Sequence, residues 1–407
     1  MAKLGWRVRS LAWVLAHAPG SSISQMTAEQ MVRAQQRLAA NGRFATGVVG
    51  SLAKGVVTDN RTIRRDDHDL AIRVYQPVGL AAGGPVIVHF HGGGWTLGAL
   101  DQSDWLCSQV SLGVGAVVVS VDYRLAPTYR FPLAVVDSVD AVRWVAHHAD
   151  TLGVDARRIG LMGDSAGGNL ATVVCQILRD TGGPAVAHQA LMYPATDLRT
   201  PAEFDAAHPA RTDFPILPSA SMLSFRNHYL GPDGDANDPM ASPILAEDLS
   251  GLPPALVQVA EYDPLRDDGI RYARAMQAAG TTVRLTEYVG MPHGYFSFPK
   301  VIRGSVVQAL AELCAEQRYA LHADPVPAAF PRVPTGLPEK TADTDAGQPG
   351  SPVDPIASRP VEDHPVGQYP VPQHSADLGS TARHRPGSTC PGRRPPLFGA
   401  DQDRRRG

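Results

Sequence analysis

The chain has 407 residues, enough for one large α/β domain with additional segments, and a formal net charge of −3. That charge, without a basic stripe or a stacking-aromatic motif, excludes a nucleic-acid binder. The four cysteines, Cys107, Cys175, Cys314 and Cys390, are far apart and form no Cys-x-x-Cys, so they imply neither a metal site nor a disulfide framework, and a reduced cytoplasmic setting fits.

Residues 1–50 come first. Lys3, Arg7 and Arg9 precede the apolar run from Leu11 to Ala18. One reading is a weak secretory signal, whose apolar core is at the short limit; the other is an amphipathic helix in an N-terminal cap segment. Leu4, Trp6, Leu11 and Trp13 would give such a helix weak peripheral contact with a membrane, and a cell-envelope location is the alternative to the cytoplasm. No stretch approaches the ~20 apolar residues of a transmembrane helix.

The first part of a core domain is expected over residues 51–195. Pro85–Phe90 is an apolar strand, and His91-Gly92-Gly93-Gly94-Trp95 follows it directly. Where a carbonyl is attacked, negative charge forms on its oxygen, and each preorganised donor there contributes about 3–4 kcal/mol. Three glycines let the backbone turn its amides inward, so the N–H groups of Gly93 and Gly94 are the expected donors. His91 is expected to anchor the loop and Trp95 to wall the acyl pocket. Neither phosphate-loop glycine pattern is present. After the strand Ala116–Val121, Asp122-Tyr123-Arg124 is read as structural, holding loops near the site.

Arg158–Met162 is a short buried strand, and Asn169–Leu178 a mostly buried helix ended by Gly182-Gly183-Pro184. Between them lies Gly163-Asp164-Ser165-Ala166-Gly167. A serine between glycines at minus two and plus two is a strand-to-helix elbow, where a Cβ at either glycine would strike the neighbouring strand or helix. Ser165 is therefore the expected nucleophile. The helix N-terminus beneath it favours negative charge, and the Ala166 N–H is the remaining oxyanion donor. Asp164, with Trp95, is assigned to substrate binding.

After the strand Gln189–Tyr193, residues 196–250 interrupt the sheet pattern and are read as a second cap segment. Phe214, Ile216, Leu217, Met222, Leu223, Phe225 and Tyr229 lie within it, and are read either as lining an acyl or alcohol pocket or, for most of them, as ordinary packing between cap and core. The core resumes over residues 251–322. Asp263 lies just past the strand Ala255–Ala260 and precedes a proline, which makes it the chosen acid, with Glu261 as its rival. Asp267 and Asp268 suit the first turn of the next helix. His293 follows the strand Thr282–Val289 on an expected exposed loop tip between Pro292 and Gly294, and is the expected base. The order Ser, acid, His is that of an α/β-hydrolase. From residue 323 to 407 periodicity vanishes, and 16 of the 35 prolines fall there, so this tail is expected to be disordered, with a short basic end at Arg404-Arg405-Arg406.

These motifs together resemble the bacterial hormone-sensitive-lipase-like serine esterases, in the subgroup with Gly-Asp-Ser-Ala-Gly. The resemblance runs over residues 40–317, through His91–Trp95, Asp122–Pro127, Gly163–Asn169, Ser242-Pro243, Leu252–Ala255, Asp263–Asp268 and Pro292–Gly294. It implies an α/β-hydrolase fold with a helical cap and favours the cap reading of the N-terminus. It further implies Ser165, Asp263 and His293 as triad, Gly93, Gly94 and Ala166 as oxyanion hole, no cofactor, and small carboxylic esters of short or medium acyl chain as substrates. Thr128 departs from the family, which usually has an acidic residue after Leu-Ala-Pro; that change touches packing or cap contacts. An amidase or thioesterase with the same triad, or a non-catalytic ligand-binding protein on this fold, are the alternative readings.

Overall fold

The computed structural model describes residues 5–17, 23–40, 49–199, 214 and 216–324. Eight strands form one sheet: β1 (Val56–Arg64), β2 (Asp69–Pro77), β3 (Gly84–Phe90), β4 (Val117–Val121), β5 (Val154–Asp164), β6 (Val186–Met192), β7 (Ala255–Tyr262) and β8 (Val283–Pro292). Their spatial order is β1-β2-β4-β3-β5-β6-β7-β8. The pairs β1–β2 and β2–β4 are antiparallel, and every pairing from β4 to β8 is parallel. This is the expected α/β-hydrolase architecture, extended at one edge by the β1–β2 hairpin.

The helices are α1 (Trp6–His17), α2 (Ala28–Ala40), α3 (Asp104–Val114), α4 (Leu133–His147), α5 (Ala166–Thr181), α6 (Ser219–Leu230), α7 (Arg266–Ala278) and α8 (Arg303–Leu321). They explain the unbroken apolar runs of the central strands, because helices cover both faces of the sheet. Val86, Val88 and Phe90 of β3 pack on one side with Val142 of α4 and Leu170 and Val174 of α5. Ile87, between them, points the other way, into the cluster of Leu106 and Val110 of α3 and Leu313 of α8. Each such fully buried side chain contributes about 1.5–3 kcal/mol. Parallel strands run their C-terminal ends to one edge, and Phe90, Asp164 and Tyr262 all end there, which gathers the loops that follow them.

Two pieces lie outside the sheet on the side of those loops. Helix α2 begins with a reciprocal capping box: Gln30 Oε1 accepts the Thr27 N–H at 2.8 Å, and Thr27 Oγ1 accepts the Gln30 N–H at 3.3 Å. Helix α6 meets the residues before α2, with Ser224 Oγ donating to the Ile23 carbonyl at 3.0 Å and His228 Nε2 3.0 Å from the Met26 carbonyl. On α1, Val8 and Ala12 are buried while Trp6 and Trp13 are 71% and 63% exposed. Leu11 is half-buried, and Leu4 lies outside the described residues. No described helix is long and apolar enough to cross a membrane. The segment expected to be a disordered tail also lies outside the described residues from 325 onward, as do residues 200–213 of the second cap segment.

Candidate active site

Ser165 ends β5 and starts α5 at φ 56° and ψ −115°. A non-glycine residue there is strained by about 1–3 kcal/mol and persists only where its surroundings hold it. Its N–H donates to the Met192 carbonyl at 2.9 Å, and its carbonyl accepts from the Asn169 N–H at 3.1 Å and the Ala195 N–H at 3.3 Å. The flanking glycines have the steric cause read from the sequence. A Cβ on Gly163 would overlap the Gly167 carbonyl, and one on Gly167 would overlap the Phe90 carbonyl. Ala166, fully buried, is the first residue of α5, where the N–H has no carbonyl four residues back within the helix.

Three distant segments meet at this serine. His293 Nε2 lies 2.9 Å from Ser165 Oγ, and His293 Nδ1 lies 2.8 Å from Asp263 Oδ2. The carboxylate accepts from Nδ1–H, which leaves the Nε2 lone pair facing the serine hydroxyl. The other oxygen of Asp263 accepts the Leu265 N–H at 2.8 Å, so the acid is fixed at both ends. The His293 N–H donates to the Tyr262 carbonyl at 3.2 Å. His293 is not at an exposed tip: it is 7% exposed, with the Tyr193 ring edge-on at a centroid distance of 4.9 Å. The proline and glycine beside it mark a turn, and the turn packs inward, burying Tyr295 and Phe296. Glu261, the rival acid, instead accepts the Gly290 N–H at 2.8 Å and braces β8 just before the histidine. Asp267 and Asp268 do lie in the first turn of α7; Asp268 accepts the N–H groups of Thr196 and Asp197 at 3.1 and 3.2 Å. Pro264 precedes that helix by two residues and does not begin it.

The loop after β3 takes the positive φ that its glycines permit, with Gly93 at 124° and Gly94 at 61°; Trp95 follows at 56°. The Gly93 carbonyl accepts from the N–H groups of Leu97 and Thr96 at 2.8 and 3.2 Å, which closes the turn. A Cβ on Gly94 would overlap the Phe225 ring of α6. The Gly92 N–H donates to Asp164 Oδ1 at 2.9 Å, tying this loop to the elbow. His91 anchors the loop as expected: its Nδ1 donates to the Gly92 carbonyl at 2.9 Å, and its ring stacks on Tyr123 at 4.3 Å. Burial pushes the His91 imidazole below its ordinary pKa and keeps it neutral. The Tyr123 hydroxyl donates to the His91 carbonyl at 2.7 Å, and Arg124 pairs with buried Asp137 at 2.8 Å. Thr128 is exposed.

A cavity of about 260 Å³ opens over Ser165 and His293, bordered by Gly93, Gly94, Trp95 and Asp164. Of the seven apolar cap residues expected to serve mostly as packing, five line it: Ile216, Leu217, Met222, Leu223 and Phe225. Phe214 packs instead on Tyr262, and Tyr229 stacks on Trp95 at 4.5 Å and 6°. Two contributors escape sequence reasoning. Gln35 of α2 donates from Nε2 to the carbonyls of both Thr96 and Ala126 at 2.7 Å, and Arg226 of α6 enters the cavity wall. The capping box signals the helix that carries Gln35, but nothing in the sequence signals its partners.

A family model for the alpha/beta hydrolase fold matches residues 87–297. The carboxylesterase NlhH of Mycobacterium tuberculosis is 43% identical over 272 residues, covering 65% of this chain and 83% of that protein. Ethyl acetate hydrolase of Pseudomonas putida is 35% identical over 271 residues, covering 63% and 82%. The hyperthermophilic esterase from Pyrobaculum calidifontis has a similar structure, with a TM-score of 0.71 at 35% identity, covering 78% of this chain and 99% of that one.

Proposed function

This chain belongs to the hormone-sensitive-lipase-like serine esterases of the α/β-hydrolase fold and is a carboxylesterase, and from that premise we propose that Ser165, His293 and Asp263 are its catalytic triad. The unbroken chain of hydrogen bonds, 2.9 Å from serine to histidine and 2.8 Å from histidine to aspartate, carries this reading. Ser165 Oγ attacks the ester carbonyl while His293 Nε2 takes its proton. Asp263 stabilises the resulting imidazolium and keeps the ring in the productive tautomer. The carbonyl oxygen, now negative, rests on the N–H groups of Gly93, Gly94 and Ala166. His293 returns the proton to the departing alcohol, leaving Ser165 acylated. Water, deprotonated by the same histidine, then attacks the acyl-enzyme, and the histidine passes that proton to Ser165 Oγ as the acid leaves.

Trp95 serves as a wall of the acyl site. Asp164 acts on the substrate through the loop it holds, as a positioning residue. Residues 23–40 and 216–230 form the cap that closes the cleft. The small cavity and its apolar walls of Trp95, Leu217, Met222, Phe225 and Leu265 support esters of short to medium acyl chain. A series of 4-nitrophenyl esters of increasing chain length, run beside Ser165→Ala, tests the assignment. Turnover is expected to fall as the chain lengthens and to vanish in the folded variant. Full activity in Ser165→Ala would sink it.

A further inference from the structure

The charged groups on the cavity wall are not equally occupied. Asp164 holds the Gly92 N–H. Asp197 pairs with Arg199 at 2.9 Å and with Arg271 at 3.2 Å. Arg226 differs: among the described residues no carboxylate reaches its guanidinium, and its Nε is buried without a hydrogen-bond partner. A buried donor of a charged group left without an acceptor costs more than one that is paired, which favours an acceptor arriving there. Arg226 is placed for that role. It lies one turn beyond Met222 on α6, and both line the cavity; its neighbour Phe225 sits against Gly94 of the oxyanion loop.

We propose that Arg226 is a specificity-determining residue that selects esters carrying a second, ionised carboxylate. The proposal rests on the esterase reading of this cavity. A guanidinium presents paired N–H groups as a planar fork, which matches the two oxygens of a carboxylate. A single unpaired cation balances a single negative charge, and Arg199 is already committed to Asp197, so a doubly charged phosphate would remain undercompensated. In a cavity walled by Trp95, Leu217, Met222 and Phe225, charge is poorly screened, so an acidic ester gains where a neutral one of the same shape gains nothing.

The test compares matched pairs of esters. On the acyl side, 4-nitrophenyl hemiglutarate is run against 4-nitrophenyl valerate; on the alcohol side, 4-acetoxybenzoate against 4-methylphenyl acetate. For each pair the ratio of kcat/KM, acid over neutral, is measured in the wild type, Arg226→Gln and Arg226→Lys, with melting curves to establish that each is folded. In one pair the ratio is expected to fall at least tenfold in Arg226→Gln, to recover in part with lysine, and to shrink in the wild type as salt rises. Ratios within twofold of the wild type in both pairs would overturn the proposal. Turnover that persists in Ser165→Ala would instead indict the esterase reading of the cavity. Binding of monomethyl glutarate against methyl valerate to Ser165→Ala protein judges Arg226 without turnover: a preference for monomethyl glutarate lost in the double variant supports it, and no preference overturns it.

Discussion

Replacing Asp164 by alanine separates holding the oxyanion loop from touching the substrate. Its carboxylate accepts the Gly92 N–H at 2.9 Å, and its side chain is 15% exposed. A hydrogen bond to a charged group contributes about 1.5–3 kcal/mol net, and little of that is screened here. The two N–H groups that this bond positions, those of Gly93 and Gly94, each stabilise the transition state by about 2.7–4 kcal/mol when fully engaged. Neither donor is deleted by the change, so the loss is bounded by the bond that held them. That bound predicts a fall in kcat of roughly 10- to 150-fold. The oxyanion exists only in the transition state, so KM should move by less than about threefold. Asp164→Asn keeps an acceptor and loses the charge, and should fall between alanine and wild type. Steady-state kinetics on 4-nitrophenyl butyrate, with thermal melts, decide it. A raised KM with kcat intact would mean that the carboxylate binds substrate directly, and an unchanged kcat in Asp164→Ala would refute the reasoning altogether.

Two further outcomes follow from backbone and burial. Gly167→Ala places a methyl group against the carbonyls of Phe90 and His91, which are backbone and cannot swing aside; it should cost about 3 kcal/mol or leave no folded protein. A wild-type urea midpoint would remove the steric account of the elbow. His188 in β6 is 3% exposed, and burial pushes its imidazole down to about 4 from 6.5. The unfolded chain therefore takes the proton first: stability is whole above pH 6.5 and is lost as pH falls towards 4, on the order of 3 kcal/mol in full. His188→Gln should flatten the difference in urea stability between pH 7 and pH 4.5, and an equal difference in both proteins would count against this origin of acid lability.

The elements nearest the chemistry were the most legible. The elbow, the glycine loop and the order of serine, acid and base depend on local residues, and a steric argument about Gly163 and Gly167 needs no tertiary information. The β1–β2 hairpin was not legible as a whole. In β1 only Val56 and Ile63 are buried, seven residues apart, so an edge strand with this much solvent carries no period of two. β2 does alternate, with Leu70, Ile72 and Val74 inward, and held what signal there was. The burial of His293 depends on Tyr193, just past β6, reaching it from another segment, and the place of Arg226 on the cavity wall depends on which face of α6 meets the cavity. Both are facts of packing between segments far apart in the chain.

The two bonds from Gln35 bear on how much of the chain holds the glycine loop. A chain started at residue 50 would keep all eight strands, the elbow, and the residues that face one another across Ser165. The family match over residues 87–297 would be untouched by that cut. Yet it would lack the amide that clasps the carbonyls of Thr96 and Ala126, one just past the glycine loop and the other in the loop that follows β4. The edge of the family match and the reach of the contacts that hold the glycine loop are therefore different lines: Gln35 lies 52 residues before residue 87, where that match starts.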